Sequence, residues 1–116
     1  MSAHTMAPGL EALARLRGVR AVVMTSLLDA LPIEARAHVG VDVDALAALG
    51  TGLYRRARAV AECSEAGPVR IVSIDAAHGR VAATARGELL VVVLADREAH
   101  PGLLRVSLQR ALEGLA

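Results

Sequence analysis

The chain has 116 residues, a formal net charge of +1 and a hydrophobic fraction of 54%. This length fits one domain that can bury a core without a metal or a disulfide, and the composition excludes an intrinsically disordered chain. All 13 positively charged residues are arginine, yet the near-neutral balance argues against a nucleic-acid-binding protein.

The remaining bulk features point to an aliphatic core and a reducing compartment. Tyr54 is the only aromatic residue, and the lone Cys63 cannot form an intrachain disulfide. The longest strictly apolar run, Leu89 to Ala95, is far shorter than the ~20 residues of a membrane helix. Met1 to Met6 lack the basic start and apolar stretch of a signal peptide. We therefore expect a cytoplasmic protein in which residues 1–6 form a disordered extension.

The first third of the chain predicts one short helix and two strands. Ala7 to Arg17 has helical spacing of its leucines, and Gly18 is expected to end the helix in a left-handed conformation. Val19 to Leu27 predicts a strand that is apolar on both faces. Pro32 precedes a half-polar strand over Ile33 to Val39, which indicates an edge position.

A long helix is predicted to start at Asp42 or Asp44, either of which can cap it, and to run to about Cys63. One apolar stripe on this helix comprises Leu46, Leu49, Leu53, Ala57 and Val60. A second band is formed by the small residues Ala45, Ala48, Gly52 and Ala59. Gly50 and Gly52 each cost helix stability, roughly 1 kcal/mol relative to alanine. We expect a packing reason for them, since small side chains let another helix come close.

The last half predicts a meander of hairpins followed by a helix. The strands are Val69 to Ile74, Val81 to Ala85 and Leu89 to Leu94, with turns at His78-Gly79 and Arg86-Gly87. Leu89 to Leu94 is apolar on both faces and belongs in the middle of a sheet. Pro101 opens the final helix, whose apolar stripe is Leu104, Leu108, Ala111, Leu112 and Leu115.

The predicted element order is therefore α-β-β-α-β-β-β-α. It indicates an α/β (α+β) domain spanning residues 1–116, with one five-stranded antiparallel sheet and helices on both faces.

Four segments, taken with this element order, resemble the roadblock/dynein light chain family over about Leu10 to Leu115. They are Leu13 to Val23 (LARLRGVRAVV), Leu28 to Ile33 (LDALPI), Asp44 to Leu49 (DALAAL) and Gly102 to Leu112 (GLLRVSLQRAL). The resemblance implies a roadblock-type (profilin-like) fold, and the bacterial members of the family include regulators of Ras-like GTPases in gliding polarity. One departure is Asp29-Ala30, where the family often has Asp-Gly. Alanine disfavours a positive φ, so this turn is expected to differ in type.

The resemblance also implies a homodimer in which the third strand pairs with its copy at the sheet edge and the long helix packs beside its partner. An unpaired apolar edge strand would be an aggregation hazard, and a band of small residues permits close helix contact. A two-fold interface of this sort is isologous. The candidate interface residues are Ala45, Ala48, Gly52, Val69, Ile71 and Ile74.

The sequence carries no signature of catalysis. A phosphate-binding loop is absent, and the chain has no lysine to complete one. The four histidines His4, His38, His78 and His100 do not lie at metal-ligand spacing from one another or from Cys63, which is expected to be a small, partly buried hydrophobe. Asp75, beside the His78 turn, is expected to bond backbone NH groups locally. We predict no catalytic, cofactor or metal site.

Arg55, Arg56 and Arg58 form the densest basic cluster. Its ordinary interpretation is a solvated helix face, with Arg58 paired to Glu62 one turn later. The sharper interpretation is that Arg55 and Arg56 contact an anionic partner protein.

Three functions remain open at this point. The first, implied by the family resemblance, is a dimeric regulatory or scaffolding protein that binds a Ras-like small GTPase. The second is a structural adaptor of a multiprotein complex with no GTPase partner. A small hydrolase or ligand-binding domain has little support in the sequence.

Overall fold

The computed structural model describes residues 7–115, so the predicted extension over residues 1–6 lies outside the described part. Three helices and one five-stranded sheet follow in the predicted order, which is confirmed. The elements are α1 (Pro8–Ala14), β1 (Val19–Ser26), β2 (Pro32–Ala37), α2 (Val43–Cys63), β3 (Val72–Ala76), β4 (Gly79–Arg86), β5 (Leu89–Asp96) and α3 (Pro101–Glu113).

The strands are ordered β2-β1-β5-β4-β3, and every neighbouring pair is antiparallel. The predicted central place of β5 and edge place of β2 are confirmed. Val91, Val92 and Val93 are fully buried in succession because β5 is covered on both faces. β2 and β3 form the two edges of the sheet.

Two hydrophobic cores sandwich the sheet. The larger core lies beneath α1 and α3 and includes Leu10, Leu13, Val22, Leu104 and Leu108. The smaller one lies beneath α2 and consists of Leu27, Tyr54, Ala83, Leu90 and Val92, with Leu46 and Val72 packed against it. Helices therefore lie on both faces of the sheet, as predicted.

The first helix is shorter than predicted, ending at Ala14 and not at Arg17. Its leucines Leu10 and Leu13 are buried, as the spacing predicts. After Ala14 the backbone tightens into three-residue turns, in which the NH groups of Leu16 and Val19 donate to the carbonyls of Leu13 and Leu16. Gly18 adopts a φ of 88°, which confirms the predicted left-handed conformation, but it does not end the helix, since α1 has already ended at Ala14.

The turn between β1 and β2 keeps a positive φ despite its alanine. Ala30 has a φ of 61°, so the expectation of a different turn type was wrong. Local hydrogen bonds hold this conformation: the Ala30 NH donates to the Ser26 carbonyl at 2.9 Å, and the Leu31 NH donates to Asp29 Oδ1 at 3.0 Å. These contacts offset the steric cost of the left-handed region for a residue with a Cβ.

Replacing Ala30 with glycine is expected to raise the free energy of unfolding by about 0.5–1 kcal/mol, because relief of the left-handed strain exceeds the entropy that glycine loses on folding. Urea unfolding followed by circular dichroism measures the change. Ala77 lies in the exposed β3–β4 turn without a positive φ, so Ala77→Gly serves as the control and should be neutral or slightly destabilising. Equal effects of both substitutions would contradict strain at Ala30.

The third strand begins at Val72, three residues later than predicted. Side-chain hydroxyls take the place of backbone donors just before it: Tyr54 Oη donates to the Val69 carbonyl at 3.4 Å, and Thr84 Oγ1 donates to the Arg70 carbonyl at 2.6 Å. The chain from Val69 to Ile71 therefore runs beside β4 without joining the regular ladder.

Candidate functional site

The long helix α2 starts where the sequence predicts. Asp42 is its N-cap, with Oδ1 accepting a hydrogen bond from the Ala45 NH at 3.0 Å, and Asp44 follows in the first turn. Both carboxylates lie at the positive end of the helix dipole. The helix spans 21 residues, which makes it the longest element described.

The face of α2 that packs on the sheet is formed mainly by small residues. Its buried positions are Ala47, Gly50, Thr51 and Tyr54. A Cβ built on Gly50 would lie 2.8 Å from Val92 Cγ2, so the helix approaches the central strand too closely for a side chain there. The packing reason expected for Gly50 is real, but its neighbour is the sheet and not a second helix.

The apolar stripe predicted on α2 does not point into the core as a whole. Leu49 and Val60 are 74% and 64% exposed, while Leu46, Leu53 and Ala57 are half-buried. Their spacing places them along one flank of the helix. A cleft lined by Ala57 and Val60 on one side and Val69 to Val72 on the other joins this flank to the β3 edge. Within residues 7–115, the exposed part of this flank is thus an apolar surface that no other element covers.

The β3 edge continues this surface. Ser73 to Ala76 are exposed, and Ile74 is 43% exposed although it is a large apolar residue. Among the described residues β3 pairs only with β4, so its outer backbone NH and carbonyl groups have no ladder partner there. An edge of this kind is a ready template for a further strand.

The candidate interface residues fall into two groups. Ala45, Ala48 and Gly52 lie on the side of α2 away from the sheet, where none of them is buried. Val69 and Ile71 precede β3 and are half-buried, with Val69 packing on the core beneath α2 and Ile71 on the core beneath α1 and α3. Ile74 lies within β3.

The three arginines of α2 have different surroundings. The Arg55 guanidinium donates to the backbone carbonyls of Leu27 and Leu28, which ties α2 to the end of β1. Arg58 lies over the Tyr54 ring at 5.6 Å from its centroid, and this contact replaces the suggested Glu62 pair. Arg56 is exposed and folds over Gly52. Arg56 is therefore better placed than Arg55 to contact a partner.

Tyr54 connects α2 to the segment that precedes β3. Its ring packs beneath α2, and its hydroxyl donates a hydrogen bond to the Val69 carbonyl. Burial raises the pKa of the Tyr54 phenol, and the positive charge of Arg58 opposes that rise. The phenol therefore remains a neutral hydrogen-bond donor at physiological pH.

Two expectations about reactive side chains were wrong. Cys63 is exposed at the end of α2 and not partly buried. Asp75 Oδ1 accepts from Arg80 Nη2 at 3.1 Å across the hairpin, where a backbone partner was expected. Within residues 7–115, no three histidine, cysteine, aspartate or glutamate side chains come together as a metal site requires. No helix in that range is long and apolar enough to span a membrane.

The hydroxyl contacts of Tyr54 and Thr84 were not foreseen from the sequence. Thr84 is the one polar residue in the segment Val81 to Ala85, where it stands between alanines. A polar residue in an otherwise apolar strand was the feature that could have predicted this hydrogen bond. A buried hydroxyl in a strand needs a partner, which here is the Arg70 carbonyl.

Several solved structures closely match the arrangement of helices and strands in this chain. A Roadblock/LC7 domain from Streptomyces avermitilis has a TM-score of 0.85 and 22% identity, covering 97% of this chain and 95% of that one. The chain has the roadblock/LC7 fold. Myxococcus xanthus MglB gives a TM-score of 0.84 at 18% identity, covering 95% of this chain and 90% of MglB. The gliding protein MglB of Thermus thermophilus gives 0.80 at 20% identity, covering 93% of this chain and 83% of that protein.

Sequence comparison adds little evidence beyond the structural matches. No family model matches the chain. The uncharacterised protein MJ1340 of Methanocaldococcus jannaschii is 28% identical over 85 residues, covering 73% of this chain and 75% of that protein. The predicted roadblock fold is confirmed by the structures, at identities where sequence comparison alone is weak.

Proposed function

We propose that this protein is a homodimeric regulatory or scaffolding protein, and not an enzyme, that binds a Ras-like small GTPase and modulates its activity. The observation that carries the proposal is the exposed apolar flank of α2, including Leu49 and Val60, beside the unpaired edge of β3. A contiguous apolar surface rimmed by polar residues is typical of a protein interface.

The proposed dimer joins two copies through β3, so that the two sheets become continuous across a two-fold axis. The apolar flank of α2 and the small band of Ala45, Ala48 and Gly52 then lie near the partner's α2. The paired edge contains Ile74, and Val69 and Ile71 directly precede it. Such an interface is isologous, because each residue meets the same surface on the other copy.

The GTPase partner is supported by the resemblance to the roadblock family, whose bacterial members include regulators of Ras-like GTPases. The roadblock fold and its likeness to MglB agree with that resemblance. A regulator of this kind acts by binding one conformational state of the GTPase more tightly than another. We propose Arg56 as a contact to the GTPase, with Arg55 holding α2 in place behind it.

We place this interaction in the bacterial cytoplasm. A single exposed thiol, Cys63, suits a reducing compartment, where no disulfide partner is needed.

The test is affinity capture from native cytosol with the immobilised protein, followed by direct binding to the purified GTPase loaded with GDP or with a non-hydrolysable GTP analogue. We expect one small GTPase to be enriched in one nucleotide state, with affinities that differ by about tenfold. Arg56→Glu should weaken this binding, while Arg110→Glu on the opposite side of the sheet should not. Equal recovery of non-GTPase partners in both states would favour the adaptor function instead.

A further inference from the structure

The α1 and α3 side of the sheet carries a second surface. α3 packs over β4 and β5, which leaves β3 uncovered on this side. Between α3 and β3 runs a trough whose floor is formed by alternate residues of β4, from Arg80 through Ala82 and Thr84 to Arg86. We call it the α3–β3 trough. Its two cavities, of about 400 and 510 Å³, follow one another along β4.

Positive charge is concentrated in the trough. Four arginines line it, against the two acidic residues Asp75 and Glu113; they are Arg70, Arg80, Arg86 and Arg105. Asp75 is already paired with Arg80, whose side chain is only 20% exposed. The whole chain has a net charge of only +1, so the excess of arginine in the trough results from where the fold places these residues and not from an overall basic composition.

Two of these arginines have no side-chain partner in the described part of the chain. Arg70 and Arg105 make neither an ion pair nor a side-chain hydrogen bond within residues 7–115. Arg86 Nη1 donates to the Glu113 backbone carbonyl at 3.3 Å, which does not neutralise its charge. The trough therefore presents cationic groups that remain available to an anion.

The floor of the trough is apolar between its arginines. Ala82 and Leu104 are buried at its base, and Ile71 is half-buried beside them. Arginine heads beside an aliphatic floor match a ligand that combines carboxylates with apolar side chains. Single-stranded nucleic acid suits the trough less well, because bases need aromatic platforms and the one tyrosine of the chain lies beneath α2.

We propose that the α3–β3 trough binds an extended, acidic segment of a partner protein. The segment's apolar side chains would contact the floor at Ile71 and Leu104, and its carboxylates would pair with Arg105 and Arg70. From Arg80 to Arg86 the floor is roughly 20 Å long, which accommodates about six extended residues. The floor of the trough lies on the opposite side of the sheet from α2, and Arg70, Ile71 and Arg105 at its β3 end also line the cleft beside Ala57 and Val60. Binding of the segment requires no GTPase, so its failure and that of the GTPase proposal are distinguishable.

The test uses a short fluorescein-labelled peptide in which Leu and Val alternate with Asp and Glu, together with a matched peptide carrying Lys in place of each acid. Fluorescence anisotropy should show saturable binding of the acidic peptide only. Arg105→Glu should weaken it by about tenfold. Arg110→Glu makes the same charge change on the exposed outer side of α3 and should alter the affinity less than about twofold.

Amide chemical shifts of the labelled protein locate the binding, and we expect them to move at Ile71, Thr84 and Arg105. Thermal unfolding of both variants establishes that they fold. Absence of saturable binding, equal weakening by both substitutions, or shifts confined to α2 would overturn the proposal. So would tighter, Arg105-dependent binding of an oligouridylate, because it would make the occupant a nucleic acid.

Discussion

Replacing Gly18 with alanine is expected to lower the free energy of unfolding by about 3 kcal/mol. Gly18 has a φ of 88°, a region that costs an L-residue roughly 1–2 kcal/mol. A Cβ there would also lie 2.5 Å from the Ala99 backbone nitrogen and 2.7 Å from Asp96 Oδ1. These atoms belong to the last residue of β5 and to the β5–α3 connection, which the Asp96 NH fixes by donating to the Gly18 carbonyl at 2.8 Å. Overpacking against backbone adds about 1–3 kcal/mol.

The matched control for Gly18 is Gly40→Ala. Gly40 has a similar φ of 94°, but nothing lies within 4 Å of the Cβ it would acquire. Gly40→Ala should therefore cost only the backbone term, about 1–2 kcal/mol. Chemical unfolding of both variants separates the two contributions. Equal losses would show that the contact with the β5–α3 connection contributes nothing.

The double substitution Leu49→Asp, Val60→Asp is expected to raise the dissociation constant of the proposed dimer by at least about 100-fold. Both side chains are mostly exposed in one chain, so the charges cost little in the monomer fold. In the dimer they would be desolvated against an apolar partner surface and opposed by their own copies. Sedimentation velocity over a concentration series measures the shift.

Val39→Asp is the matched control, because Val39 is fully exposed in the loop that precedes α2 and lies outside the proposed interface. It should leave the dissociation constant unchanged. Circular dichroism should show the same helix content for both variants and the parent. A parent protein that sediments as a 12.0 kDa species at all concentrations would refute the dimer itself.

Local signals in the sequence were enough to predict most of the fold. Asp42 as a cap, the left-handed conformation of Gly18 and the continuous apolar run of β5 each depend on nearby backbone and burial, so they could be inferred without tertiary information. The start of β3 was missed because it depends on Tyr54 and Thr84, which are distant in sequence and take the carbonyls of Val69 and Arg70.

The orientation of α2 could not be deduced from periodicity. The helix carries two kinds of apolar residue, and large ones are ordinarily assigned to the core. Here the small positions Ala47 and Gly50 meet the sheet, since the helix lies close above Val92. Leu49 therefore lies outside the core and is exposed. A sequence pattern indicates that one side of a helix is apolar. Which element packs against that side depends on the tertiary structure.

Strand order has a consequence for synthesis on the ribosome. β1 pairs with β5 across the sheet centre, for example Val22 with Val93, so the inner edge of β1 stays unpaired until β5 has emerged. α1, the first element, packs against α3, the last, with Gly9 in close approach to Ala111. The larger core therefore cannot close before α3 has emerged, and until then the nascent β1–β2 hairpin exposes apolar side chains that β5 and α3 later cover.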